Sequence, residues 1–161
     1  MSENDNNLSY IRNFGKLNIS DVSLVGGKNA SLGEMYSELT DSGINVPNGF
    51  AVTVDGYCDY VDYNHLSSKI EDILETIDVD DVDSLSDVGT TIRSWFINGD
   101  MPPDLESEIL TSYHDLGGSV AVRSSATTED SISNSFAGQL ETYLNVFGDV
   151  DIIHACKLVF A

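Results

Sequence analysis

Val25-Gly26-Gly27-Lys28-Asn29-Ala30-Ser31-Leu32-Gly33-Glu34-Met35 is the stretch on which the reading of this fold turns. Two consecutive glycines let a backbone approach a neighbour or a ligand closely. A helix starting near Gly27 would present unpaired N–H groups and the positive end of its dipole. Lys28 sits in that first turn, where the dipole disfavours a cation unless an anion lies between them. The same residues also suit a plain helix-start turn with an exposed lysine. A P-loop does not fit, because that motif needs glycine where Val22 stands and Ser or Thr where Asn29 stands.

Working outward, Leu32, Met35, Tyr36 and Leu39 recur at helical spacing, and Gly43 is placed to stop the helix. Pro47-Asn48-Gly49 reads as a turn into a short strand, Phe50 to Thr53, and Thr53 can cap a helix carrying Tyr57, Tyr60 and Val61. Leu66, Ile70, Ile73, Leu74 and Ile77 form a clean amphipathic stripe. Ser84 with Asp87 resembles a capping box for a helix with Leu85, Val88, Ile92, Trp95 and Phe96. Pro103 opens another helix, which Gly117-Gly118 ends. After that the pattern changes. Residues 119–123 read as a buried strand, 124–137 as a polar loop, and 138–146 as an alternating strand with Thr142, Leu144 and Val146 on one side. A last helix starts near Asp149 and is still apolar at Phe160, so the chain is expected to be cut inside an element.

Composition narrows the function. The chain has 161 residues, 27 acidic against 7 basic, and a formal net charge of −20. That field repels nucleic acid and anionic membrane surfaces, so neither is an expected partner. A phosphate can bind only where cations and backbone N–H groups are gathered locally. No apolar run approaches the ~18–20 residues of a membrane helix, and the polar, acidic N-terminus has no signal-peptide pattern. A cytoplasmic protein is expected, with Cys58 and Cys156 both buried as free thiols.

The second specialised stretch is Val120-Ala121-Val122-Arg123-Ser124-Ser125-Ala126. An arginine at the end of an apolar strand lies where α/β sheets hold ligands, and its planar fork suits phosphate oxygens. A salt bridge to one of the many carboxylates is the competing role. Gly138, in the following loop, can fold amides over a phosphate chain, and Thr142 can add a hydroxyl. Other motifs fail. The acidic run Asp78 to Asp83 lacks the residues an EF-hand needs at positions 82 and 83. His65, His114 and His154 have no metal-ligand spacing, and no metal site is expected here. Ser124 and Ser125 lack a nucleophile-elbow context.

Together, the stretch 25–35, Val46-Pro47-Asn48-Gly49-Phe50-Ala51, residues 121–130, Ser135-Phe136-Ala137-Gly138-Gln139 and Glu141-Thr142-Tyr143-Leu144-Asn145-Val146 resemble the start of the phosphoenolpyruvate synthase (pyruvate, water dikinase) family. Pyruvate, phosphate dikinase and rifampin phosphotransferase share this nucleotide-binding domain. The resemblance implies an α/β (α+β) fold: an ATP-grasp-like N-terminal subdomain, truncated, with helices packed on a small mixed sheet. Residues 1–9 would be a disordered tail, and 10–161 the first part of that domain. It implies that Lys28 contacts ATP phosphates, that Arg123 binds them and stabilises charge during catalysis, and that Gly138 and Thr142 lie beside them. ATP would be the bound nucleotide. The Mg²⁺ ligands, the carrier histidine and the pyruvate site would lie past Ala161, leaving the isolated chain inactive. An antibiotic kinase of the rifampin phosphotransferase type and a non-catalytic nucleotide-binding module are the alternatives. The oligomeric state is left open.

The charge balance generates a first prediction. Net self-repulsion at −20 is relieved as the screening length falls to about 3 Å near 1 M salt. The urea unfolding midpoint should therefore rise between dilute buffer and molar potassium chloride. A flat or falling midpoint would show the acids to be tolerated without screening.

Overall fold

In the computed structural model, residues 9–78, 81–127 and 141–161 are described. The N-terminal strand β1 (Ile11–Asn13) pairs antiparallel with β2 (Phe50–Val52), Ile11 opposite Val52 and Asn13 opposite Phe50. Between them lie two short 3-10 turns, the single-turn helix α1 (Val22–Val25) and the helix α2 (Gly27–Thr40). Then come α3 (Val54–Tyr63), α4 (Leu66–Leu74), α5 (Val82–Asn98) and α6 (Pro103–Leu116). The strands β3 (Val120–Arg123) and β4 (Thr142–Val146) form a second antiparallel pair before α7 (Asp149–Phe160). The α+β class is as expected. Among the described residues, however, the strands form two separate antiparallel pairs where one small mixed sheet was expected.

Two apolar clusters sit on the β1–β2 ribbon. Ile11 belongs to the larger one, with Tyr60, Leu66, Phe96, Met101, Leu105, Ile109, Tyr113 and Ile152 from α3 to α7. Phe14 and Ala51 belong to the smaller one, with Leu17, Val25 and Ala30. The larger cluster holds its polar atoms in bonds. The Tyr60 hydroxyl donates to the Phe96 carbonyl, and burial pushes its phenol up to about 12. Tyr113 ties three elements, its hydroxyl donating to the Gly118 carbonyl and accepting from the Gly148 N–H at 2.9 Å.

Most helix boundaries follow local chemistry. Thr53 caps α3 by accepting from Gly56 N, Pro103 starts α6, and Gly117 at φ 68 ends it. Four expectations are corrected. The cap of α5 is Asp81, which accepts from Asp83 N and Ser84 N, so the helix begins before the Ser84–Asp87 pair. Cys58 is exposed on α3, while Cys156 is buried, its thiol pushed up to about 12 by desolvation. Strand β3 is not buried on both faces: Val120 and Val122 are half-buried, Ala121 and Arg123 exposed. The alternation of β4 is broken by a bulge. Val120 faces Val146 and Val122 faces Tyr143, so β4 carries one extra residue, with Asn145 at φ 57. That turns Tyr143 and Val146 to the half-buried side and leaves Leu144 68% exposed.

Among the described residues no helix is long and apolar enough to cross a membrane.

Candidate functional site

Gly26 separates α1 from α2 at φ 79 and ψ 161, a region open in practice only to glycine. Its N–H closes α1 on the Val22 carbonyl at 2.8 Å, and its carbonyl accepts from Ala30 N at 3.1 Å, opening α2. The buried face of α2 is made of small residues: Gly27, Ala30 and Gly33. A Cβ on Gly33 would lie 2.4 Å from Leu17 Cβ, so the helix seats directly on the chain before α1. Glu34 adds a tether by accepting from Ile19 N at 2.9 Å. The apolar stripe expected to anchor α2 is only its flank, with Leu32 and Tyr36 partly buried and Met35 exposed.

The first turn of α2 meets the segment after β3. Asn29 N donates to Ser125 Oγ at 3.2 Å, and Gly27 N donates to the Ala126 carbonyl at 3.4 Å. Asn29 also donates from Nδ2 to the Val25 carbonyl at 3.0 Å, which fixes its own turn. A Cβ on Gly26 would stand 2.5 Å from both the carbonyl oxygen and Oγ of Ser125. The close approach that the paired glycines allow is thus made by the chain itself. Two of the amides expected to face a ligand bond Ser125 and Ala126 instead.

This junction brings three of the four expected site residues into one region. Lys28 is half-buried in the first turn of α2, next to the amide that holds Ser125. Arg123 stands two residues before Ser125, exposed at the end of β3 and directly opposite Thr142 on β4. Arg123 has no ion-pair partner among the described residues, so the expected competing salt bridge is not seen there. Ser124 N donates to the Glu141 carbonyl at 3.5 Å, extending the pairing by one residue. Ser124 Oγ is buried and finds no hydrogen-bond partner among the described residues. Beside Thr142, Tyr143 donates to the Glu141 carboxylate, and that bond raises its phenol above the usual range. Gly138 lies outside the described residues.

The sequence did not single out Ser125 and Asn29 as the contact between the two stretches. The one signal was composition: a small hydroxyl residue opposite a glycine pair. The described residues include no group of three His, Cys, Asp or Glu side chains able to hold a metal. What the region offers is one lysine, one arginine and a threonine hydroxyl, with the Glu141 carboxylate beside them, in a chain with few cations.

Comparison with known proteins shows the family. The family described as pyruvate phosphate dikinase, AMP/ATP-binding domain, matches residues 22–161, and the chain belongs to it. A phosphoenolpyruvate synthase of Pseudomonas aeruginosa is 45% identical over 159 residues, covering 96% of this chain and 20% of its own length. The Escherichia coli phosphoenolpyruvate synthase is 45% identical over 92% of the chain and 19% of its own length. A probable phosphoenolpyruvate synthase of Staphylothermus marinus is 44% identical over 88% of the chain. The chain spans about a fifth of the length of these curated relatives.

Gly26 and Gly117 allow a controlled test of the junction. Both have nearly the same backbone, φ 79 and ψ 161 against φ 68 and ψ 161, but a Cβ on Gly117 meets nothing within 4 Å. Gly117→Ala should cost the backbone strain alone, about 1–3 kcal/mol. Gly26→Ala should cost a further ~1–3 kcal/mol for overpacking against Ser125. Urea denaturation of both variants measures the difference. Equal losses would mean that Ser125 yields freely and that the junction is not tight.

Proposed function

We propose that this chain is the ATP-phosphate-holding part of a phosphoenolpyruvate synthase, which converts ATP, pyruvate and water to phosphoenolpyruvate, AMP and phosphate. One observation carries the reading: the Asn29–Ser125 bond places the Lys28 turn against the segment just past Arg123. Membership of the AMP/ATP-binding family supports the nucleotide, and the names of the relatives support the reaction. No observation favours the antibiotic kinase or the non-catalytic module.

In this reading the α2 amides hold the protein together, and the cations hold the substrate. Lys28 acts as a compact point charge for phosphate oxygens, and Arg123 as a planar fork that takes two of them at once. Charge that spreads over phosphoryl oxygens in the transition state is stabilised by groups already in place, with little reorganisation. Thr142, opposite Arg123 on the ladder, supplies a hydroxyl to the same region. Gly138 is assigned to a loop over the phosphates by family resemblance. The phosphoryl group then passes to a histidine on another domain and from there to pyruvate. Magnesium, when bound, neutralises phosphate charge through ligands supplied from outside the described residues.

Lys28→Met and Arg123→Ala, each in a full-length synthase carrying this segment, should lower ATP-dependent phosphorylation by at least about a hundredfold. Circular dichroism should show the fold retained. Near wild-type turnover in both variants would remove these residues from the phosphate site.

A further inference from the structure

Two more of the chain's seven basic residues converge away from the Gly26–Ser125 junction. Arg12 on β1 and Lys16 just after it line a cleft of about 450 Å³ against α6. Asn13 lines the same cleft, and α6 contributes the hydroxyls of Ser107, Thr111 and Ser112. The volume suits a small molecule. Arginine, lysine and the asparagine amide are donors, and the first two have no acceptor at all. Arg12 is braced, because Nη1 donates to the carbonyls of Ser9 at 3.1 Å and Ile11 at 3.0 Å. Lys16 is exposed and has no ion-pair partner among the described residues.

We infer that this cleft binds a small hydroxylated phosphate monoester, its phosphate held by Arg12 and Lys16. A net charge of −20 disfavours anions over the rest of the surface, so two cations against the one Glu108 carboxylate, beside three hydroxyls, form a local exception. The guanidinium fork fits two oxygens of one phosphate, and the hydroxyls can donate to the third. Glu108 limits how much negative charge the cleft accepts. Its carboxylate lines the cleft and accepts from Ser9 Oγ at 3.2 Å. A second negative group would be repelled there, whereas a ligand hydroxyl would find an acceptor. A polyphosphate therefore fits poorly, and a monoester with a short hydroxylated tail fits well. This inference does not rest on the ATP reading.

The test is an NMR titration of the ¹⁵N-labelled chain with glycerol 3-phosphate and, separately, inorganic phosphate, both at fixed ionic strength. Saturating amide shifts are expected in residues 9–16 and 107–112, with the ester binding more tightly than phosphate. Lys16→Gln changes an exposed side chain and should weaken binding about tenfold, the loss of a charge-assisted contact. Arg12→Gln together with Lys16→Gln should abolish the shifts, while Arg123→Ala should leave them unchanged. The inference is overturned by shifts that never saturate, by shifts centred on Lys28 and Arg123, or by unchanged affinity in Lys16→Gln. Equal affinity for ester and phosphate would overturn the assignment of a hydroxylated ligand.

Discussion

The contact between Gly26 and Ser125 is the constraint on which the rest of the site depends. It admits no side chain at position 26, since a Cβ there would lie 2.5 Å from Ser125. The two hydrogen bonds that cross it, Asn29 to Ser125 and Gly27 to Ala126, contribute only about 1 kcal/mol each by the usual measure of such bonds. Their larger effect is geometric. They fix the first turn of α2 against the exit of β3, and with it the relation between Lys28 and the strand carrying Arg123. In the proposed reading, phosphate-holding groups would be fixed before substrate arrives, by backbone and small side chains at this junction.

The two apolar clusters divide the work. The larger one packs α3 to α7 on one end of the β1–β2 ribbon, with Leu105 and Ile109 fully buried. The smaller one seats α2 on Leu17, Val25 and Ala51. The ribbon contributes to both, through Ile11 on one side and Ala51 on the other. Few large side chains hold α2, so close backbone approach at Gly27, Ala30 and Gly33 takes their place.

How far the sequence disclosed this varies with the kind of signal. Features set by a single residue were legible: the Thr53 cap, Pro103 at the start of α6, the Gly117 stop, and the start of α7 at Asp149. Features set by what lies opposite were not. The seat of α2 uses glycine and alanine, which carry no hydrophobic stripe to read. Asn145 gave no warning of a bulge, because its left-handed backbone is decided by the register with β3. Asp81 displaced Ser84 as cap: both have suitable side chains, and Asp81 is the one that accepts from the free amides of Asp83 and Ser84. Of the proposed site, Lys28, Arg123 and Thr142 were singled out from residue type and position, Gly138 lies outside the described residues, and the bond that joins the two stretches was not foreseen. Its partners are 96 residues apart, beyond the reach of any local pattern.

The most direct test of that joining is native-state hydrogen exchange at Asn29. Its amide donates to Ser125 Oγ, while the next amide, Ala30, donates to the Gly26 carbonyl within its own turn. In the unaltered chain both should be protected. In Ser125→Ala the protection of Asn29 should fall sharply while Ala30 keeps most of its own, a local opening without global unfolding. An Asn29 amide that exchanges freely in the unaltered chain, or equally slowly with and without the serine hydroxyl, would contradict the account.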